Sequence, residues 1–424
     1  MSPAARSAAE LPRRRPDTAR RAAGLLSLLL TGALVAGCSS GEDAAGGGFS
    51  GGGGSALSCP APVGPMAFAV SGRSNSPEPG LPQAVQDATV SVLSRSVDEG
   101  YEPRITLINV DGRPTSAGND TFRTDAGNAI AAEDDRNAFL DGFGQALTEL
   151  RAQTPEVDVL SALDLAGRSA GSGGQGGNRP GTVVLVDSGL STVAPLDFRQ
   201  RGLLEAPPEQ TVEALRSANA LPGLQGTTVV LAGLGDVAEP QPAPSPAQRQ
   251  SLVALWSAIA TAGGASCVAV VPEPRGGEAP TDAPPVSVVD LPPPPTITPG
   301  RATALPDDNS VGFQPDTAEF RDRDAARGVL APFAQFLIES PSRRIALTGT
   351  SARAGTPQGQ VDLSTRRAEA VKALLVELGA PADRITTRGV GSQFPGYVND
   401  VGPDGRQLPG PASANRTVIV EPTE

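Results

Sequence analysis

Short apolar runs alternate with amphipathic stretches through the first two-thirds of this chain. "MAFAVSG" (66–72), "RITLINVDG" (104–112), "GTVVLVDSG" (181–189), "GTTVVLAGLGD" (226–236) and "SCVAVV" (266–271) are apolar and bounded by turn residues. That pattern predicts buried strands. Between them, "LPQAVQDATVSVLSRSVDEG" (81–100) brings Val85, Ala88, Val92 and Leu93 to one side at helical spacing, with Val97 following. "RNAFLDGFGQALTELRAQ" (136–153), "EQTVEALRSA" (209–218) and "PAQRQSLVALWSAIATAG" (246–263) are further predicted helices. Apolar strands separated by helices imply a mainly parallel sheet covered on both faces.

A second periodic region follows. "RRIALTG" (343–349) reads as a strand into a turn. Ser364 offers an N-cap for a helix that runs to Leu378 and stops at Gly379, a good residue just past a helix end. Val371, Leu374, Leu375 and Leu378 form its apolar stripe, and Arg367, four residues before Val371, shares that inward face. The macrodipole opposes a cation in the first turn, so an inward arginine there predicts an anionic partner.

The segments between these regions are rich in glycine and proline, 50 and 42 residues over the 424-residue chain. "SSGEDAAGGGFSGGGGSALS" (39–58) predicts a flexible, hydrated linker, and "AGSGGQGGNRPG" (170–181) a loop within the first unit. "VPEPRGGEAPTDAPPVSVVDLPPPPTITPG" (271–300) predicts an extended, semi-stiff spacer. The expected organisation is a leader at 1–37, a Gly/Ser linker at 38–58, an α/β domain at 59–272, a proline-rich linker at 273–303 and a C-terminal domain at 304–424.

The leader carries Arg13, Arg14, Arg15, Arg20 and Arg21 ahead of an apolar stretch, Ala22 to Leu34, too short to span a bilayer comfortably. It ends in "VAGC" (35–38), which resembles the bacterial lipobox. That resemblance implies cleavage before Cys38 and attachment of diacylglycerol there, whose two acyl chains suffice for stable anchoring. The expectation is a lipid-anchored protein on the extracytoplasmic face of the cell membrane.

Composition removes several function classes. The chain contains no histidine, which excludes Ser-His and Cys-His catalysis and histidine zinc sites. Loss of residues 1–37 takes away six arginines and two carboxylates, moving the net charge from −12 to −16. No basic face remains for nucleic acid. Aromatics are 3% of residues, so the core must rest on Ala, Val, Leu and Ile. Cys59 and Cys267 remain after lipidation, and in an exported protein two cysteines predict a disulfide.

The candidate chemistry of the α/β unit lies at strand ends, where ligands of parallel sheets gather. Asp187-x-Gly189-x-Ser191 resembles the D-x-S-x-S adhesion motif of von Willebrand A domains, with glycine in place of the first serine. The implied fold is Rossmann-like or von Willebrand A-like. The implied ligands, Asp187, Ser191 and Asp236, offer oxygens suited to Mg²⁺ or Ca²⁺. A structural strand-end turn is the alternative. Arg73 and Asn75 lie at another strand end, where they either contribute to the same crevice or belong simply to a loop. No catalytic motif is present, and the chain reads as a non-enzyme.

The C-terminal block carries a further resemblance. "VGFQPDTAEF", "RRIALTGTSARAGT", "LSTRRAEAV", "LGAPADRI", "GVGSQFP" and "NR" occur in the order found in OmpA-like domains, the group that includes MotB and the peptidoglycan-associated lipoproteins, here of the actinobacterial lipoprotein type. The resemblance implies a βαβαββ fold over about residues 307–422. It also implies recognition of peptidoglycan, an Asp binding the diaminopimelate amine and an Arg forking its carboxylate. Arg367 matches that arginine. Ala352 stands where the Asp belongs, Thr350 where a His is usual, and Gln360 where an Asn is usual. Arg353 adds a cation beside Ala352. Asn415 and Arg416 match the terminal "NR", with Thr417 replacing a second arginine. The expected ligand set is Arg367, Arg353, Asn415 and Arg416, which favours anions. Three readings stay open: altered or weak contact with peptidoglycan, a scaffold meeting other envelope proteins, and a metal-dependent adhesion module.

Overall fold

The computed structural model describes residues 56–171, 179–291, 298–306 and 311–423. The leader, Cys38 and nearly all of the Gly/Ser linker lie outside the described residues.

The first unit is an α/β domain. Its elements run β1 (Met66–Ser71), α1 (Gln83–Asp98), β2 (Arg104–Val110), β3 (Thr115–Thr121), α2 (Ala129–Thr148), α3 (Val159–Gly171) and β4 (Thr182–Val186). There follow the short ribbon of β5 (Thr192–Val193) and β6 (Leu196–Asp197), then α4 (Pro208–Ser217), β7 (Thr228–Ala232), α5 (Pro246–Ala262) and β8 (Cys267–Val271). The main sheet has the order β3-β2-β1-β4-β7-β8. Its pairs are parallel except the edge pair β2–β3.

Strand alternation sorts the core into two layers. Ala67, Ala69, Val183, Leu185, Val229 and Leu231 pack against α3, α4 and α5 on one side. Met66, Phe68, Val70, Val184, Val186 and Val230 pack against α1 and α2 on the other. Both sheet faces are therefore covered, as the apolar strands require. Cys59 and Cys267 form a disulfide with Cα atoms 6.1 Å apart, tying the chain ahead of β1 to the edge strand β8.

Two elements escape the apolar pattern. Strand β3, "TSAGNDT", is largely exposed and so carries no hydrophobic alternation. Helix α3 is rich in Ala, Gly and Ser, which blurs its periodicity, yet Leu160, Leu163 and Ala166 are buried. It runs through Gly171, so the start of the expected loop at 170–181 is helical, and residues 172–178 lie outside the described residues. Helix α2 begins seven residues before the expected Arg136, capped by Asn128, whose side chain accepts from Ala131 N.

The proline-rich stretch departs from a free spacer. Over 273–291 it lies as a strap on the α/β domain. Val289 is buried, its N–H donates to Gln241 Oε1 at 2.8 Å, and Gln241 Nε2 donates to Val289 O at 2.8 Å. Ser287 N donates to Pro155 O, and Ser74 Oγ to Pro284 O.

The second unit runs β9 (Thr303–Pro306), α6 (Arg323–Glu339), β10 (Arg344–Gly349), α7 (Pro357–Glu377), a 3₁₀ turn (Ala382–Arg384), β11 (Ile385–Gly389), α8 (Pro409–Ala414) and β12 (Thr417–Thr423). Its sheet has the order β11-β10-β12-β9, with β10–β11 parallel and the other pairs antiparallel. Apart from the short α8, this is the expected βαβαββ arrangement. Leu330, Phe333 and Leu337 of α6 join Val371, Leu374 and Leu375 of α7 over Ile345, Leu347, Val418 and Val420.

Helix α7 corrects one expectation. Its N-cap is Thr356, whose hydroxyl accepts from Gly359 N at 3.1 Å, followed by Pro357 at the first helical position. Ser364 sits mid-helix and buried, with its hydroxyl donating to Val361 O and accepting from Gly391 N. Arg367 is thus ten residues into the helix, and the first-turn dipole argument does not apply to it. The helix does end before Gly379, whose φ is +97°.

Candidate functional site

Strand ends of the α/β sheet converge on a buried charge network. The carboxylate of Asp187, just beyond β4, accepts from Arg73 Nη2 at 2.9 Å and from Gly189 N at 2.7 Å. Arg73 and Asp187 side chains are 2% and 0% exposed, so this pair is fully removed from water. Arg73 also donates to Ser71 Oγ and Ser188 Oγ. Beyond β7, Asp236 accepts from Arg249 Nη1 at 2.6 Å and from Arg275 N, on the strap, at 2.7 Å. Burial holds the Arg275 guanidinium below its ordinary pKa, and the charges of Asp236 and Asp187 offset only part of that.

These contacts define what the expected metal ligands do here. Ser191 Oγ donates to Val157 O at 3.0 Å. Gly189, where the adhesion motif has a serine, adopts φ +76°, and a Cβ there would lie 2.6 Å from Trp256 Nε1. Trp256 Nε1 in turn donates to Gly189 O at 3.0 Å. The indole fills the place of the missing side chain. Among the described residues no group of three or more Cys, Asp or Glu side chains is arranged to hold a metal ion. A cation at Asp187 or Asp236 would compete with guanidinium groups already in contact. Asn75 is buried, and its backbone carbonyl accepts from Ala238 N.

The loop after β10 forms the second candidate site. Thr350 Oγ1 donates to Asn415 O at 2.7 Å, which joins the ends of β10 and β12. Ala352 is 4% exposed. The N–H of Arg353 donates to Asp400 Oδ2 at 2.7 Å, and the Tyr397 hydroxyl bonds Asp400 Oδ1. Burial, with the Asp400 hydrogen bond next, pushes the Tyr397 hydroxyl above its ordinary pKa, which keeps it a donor. The Arg353 guanidinium lies 5.2 Å from the Tyr397 ring centroid. Asp400 is completely buried, so this carboxylate pins the 397–408 segment onto the turn.

Arg367, 4% exposed, donates from Nε to Thr317 O at 2.9 Å and lies over the Phe313 ring at 5.2 Å. It shares the inward face with Val371, as its spacing predicts. Asn415 is a clamp: its Oδ1 accepts from Val398 N and its Nδ2 donates to Val398 O. Arg416 donates to Gln210 Oε1 of the α/β domain at 2.8 Å and to Gln407 Oε1. Gln360 Oε1 accepts from Ser392 Oγ at 2.8 Å. The expected ligand set therefore divides: Arg367 lies with Thr317 and Phe313, Arg353 with Tyr397, and Arg416 faces the other domain. Sequence reasoning missed Asp400 and Tyr397, which sit in "GYVND", outside the motifs that matched.

Comparison with known proteins places residues 312–406 in a match to the OmpA family. Among solved structures, the peptidoglycan-associated lipoprotein from Burkholderia pseudomallei is 22% identical at TM-score 0.23, covering 28% of this chain and 89% of its own. The periplasmic domain of Helicobacter pylori MotB is 16% identical at TM-score 0.24, covering 30% and 78%. The OmpA-like domain of FopA1 from Francisella tularensis is 20% identical at TM-score 0.22, also covering 30% and 78%. The family match carries the assignment of this unit as an OmpA-like domain.

Proposed function

We propose that this chain, which carries an OmpA-family domain at 312–406, is a lipid-anchored envelope protein that contacts the cell wall without catalysis. Its anchor is Cys38, on the extracytoplasmic side, and its wall ligand is an anionic group read by Arg367. No helix among the described residues is long and apolar enough to cross a membrane. The observation that carries the reading is a contrast within one domain. Arg367 keeps the inward, buried position that the resemblance assigns to the partner of a wall carboxylate, whereas Ala352 replaces the carboxylate expected to meet the amine. Asp400 does not substitute, because it is buried and bonded to Arg353 N and Tyr397. Loss of one charge-assisted hydrogen bond weakens binding by about 1.5–3 kcal/mol, roughly 10–150-fold.

Sedimentation of the mature protein with purified sacculi tests this. Wild type should co-sediment weakly, Arg367→Ala should fall to background, and Ala352→Asp should sediment more. If wild type stays in the supernatant and neither substitution changes that, wall binding is wrong.

One observation favours a second reading, an envelope scaffold with a vestigial site. Arg416 and Arg406 both reach the α/β domain, donating to Gln210 Oε1 and Ser217 O at 2.8 Å each. A structural role then replaces ligand binding at Arg416. We further infer that Asp187 and Asp236 accept from this protein's own donors, and that Ser191 donates to its own backbone, rather than serving as Mg²⁺ or Ca²⁺ ligands. Calorimetric titration with either ion should give no heat, and heat abolished by Asp187→Asn would restore the metal reading.

A further inference from the structure

We propose that the open edge of β3, overhung by α2, receives an extended basic segment of a partner polypeptide as a seventh strand. Among the described residues, strand β3 pairs with β2 alone and ends the sheet. Helix α2 packs over β1 and β2 through Leu140, Phe143 and Leu147, with the Phe68 and Phe143 rings 5.0 Å apart. A neighbouring stripe of the same helix borders open space, touched at its ends by Thr124, whose hydroxyl donates to Asp135, and by the core, against which Ala146 packs. Ala131, Asp135, Ala138, Gly142 and Ala146 fall at spacings of four, three, four and four, so they share one face. That face lines a groove of about 810 Å³ along Asn119–Thr124, continuous at Ala138 and Phe139 with an apolar recess of about 130 Å³ floored by Ile105, Leu107 and Phe143. Two glycines keep it open: a Cβ at Gly142 would meet nothing within 4 Å, and one at Gly118 would meet only Leu107 Cβ at 4.0 Å. Ile130, next to Ala131 in the sequence, is 75% exposed.

An edge strand offers a row of backbone donors and acceptors to any extended chain, and helix α2 supplies an apolar cover above it. Charge selects the occupant. From Asn119 to Asp141 there are six carboxylates against two guanidinium groups. Both guanidinium groups are paired, Arg123 with Glu102 and Arg136 with Glu133. Asp120, Asp125 and Asp135 stand on the groove itself. A second copy of this chain fits poorly, because β3 against β3 would set Asp120 and its neighbours near like charge. A strand alternating small apolar and basic side chains matches both the recess and the rim.

The test uses the full mature chain and two fluorescein-labelled octapeptides, one alternating Val and Lys, the other Val and Glu. The Val–Lys peptide should bind saturably by fluorescence anisotropy, and the Val–Glu peptide should not. Gly142→Leu, which fills the groove on an exposed helix that leucine favours over glycine, should weaken Val–Lys binding about ten-fold or more. Asp120→Asn with Asp125→Asn should weaken it less and flatten its salt dependence. The proposal is overturned if the Val–Lys peptide fails to bind, if both peptides bind alike, or if Gly142→Leu changes nothing. A concentration-dependent dimer broken by Gly142→Leu would place a second copy in the groove, which also overturns it.

Discussion

At the carboxyl ends of the N-terminal sheet, Arg73 and Arg249 close on Asp187 and Asp236, and a proline-rich strap is bonded down over the same region. In the OmpA-like domain, Arg367 rests on a carbonyl oxygen and a phenyl face, and Arg353 on the ring of Tyr397. In the first region cations meet carboxylates of the same chain, which is the arrangement of a structural network. In the second, the contacts of the guanidinium groups include a carbonyl dipole and aromatic faces, which hold a cation by its charge and its plane. Position at a strand end or in a family motif names a candidate site; the contacts of each side chain show how it is held there.

The comparison can be broken most forcefully at the disulfide. It joins residues 208 apart, and loop-closure entropy for a bridge of that span is worth roughly 5 kcal/mol. Replacing Cys59 and Cys267 by Ala should lower the denaturant midpoint of the α/β domain steeply while the OmpA-like transition stays in place. Equal loss in both transitions would mean the two units do not unfold separately.

A second, smaller effect targets the buried pair. Arg73→Met leaves Asp187 uncompensated inside the protein and should cost about 3–5 kcal/mol of α/β-domain stability, read by urea unfolding. Arg73→Met with Asp187→Asn should recover part of that loss. A single substitution that costs nothing would show the pair is not the closed network described here.

The smallest effect concerns the strap. Burial pushes Glu156 up, but the Thr192 and Ser287 hydroxyls and the Arg199 guanidinium outweigh it and hold its carboxyl below the ordinary 4.5. A depressed pKa stabilises the fold above the unfolded value and loses that contribution as pH falls through the folded one. Strap docking through Ser287 should therefore be constant at neutral pH and weaken below about 4.5. Hydrogen exchange at the Ser287 and Val289 amides, corrected for intrinsic rates, should show protection falling there and not before. Glu156→Gln should remove the acid step.

Much of the architecture was legible because apolar runs of five or six residues have few alternatives to burial, so the buried strands β1, β2, β4, β7 and β8 were readable. Strand β3 was not, since an edge strand with an exposed face has no reason to alternate. The start of α7 was obscured by "PQGQVD", which lacks an apolar stripe, although Thr356 followed by Pro357 is a helix-start signal in its own right. Proline content could not separate a free spacer from a strap, because the difference lies in Val289 and its bonds to Gln241. At the sites, residue types were readable but not partners. Gly189 looked like a missing ligand, and only the position of Trp256 shows that no side chain fits there. Arg367 was placed correctly on an inward face, whereas Asp400 had no sequence signal, since its role depends on a loop folding back over Arg353.

On the proposed reading, the anion-reading half of a wall site persists at Arg367 while the amine-reading half is gone at Ala352. The most direct measurement is competition for sacculus binding by two soluble wall peptides. One carries a free diaminopimelate carboxylate, and the other carries the same group amidated. The free carboxylate should compete and the amidated peptide should not, with the difference abolished in Arg367→Ala. Equal competition by both peptides, or a difference that survives Arg367→Ala, would contradict it.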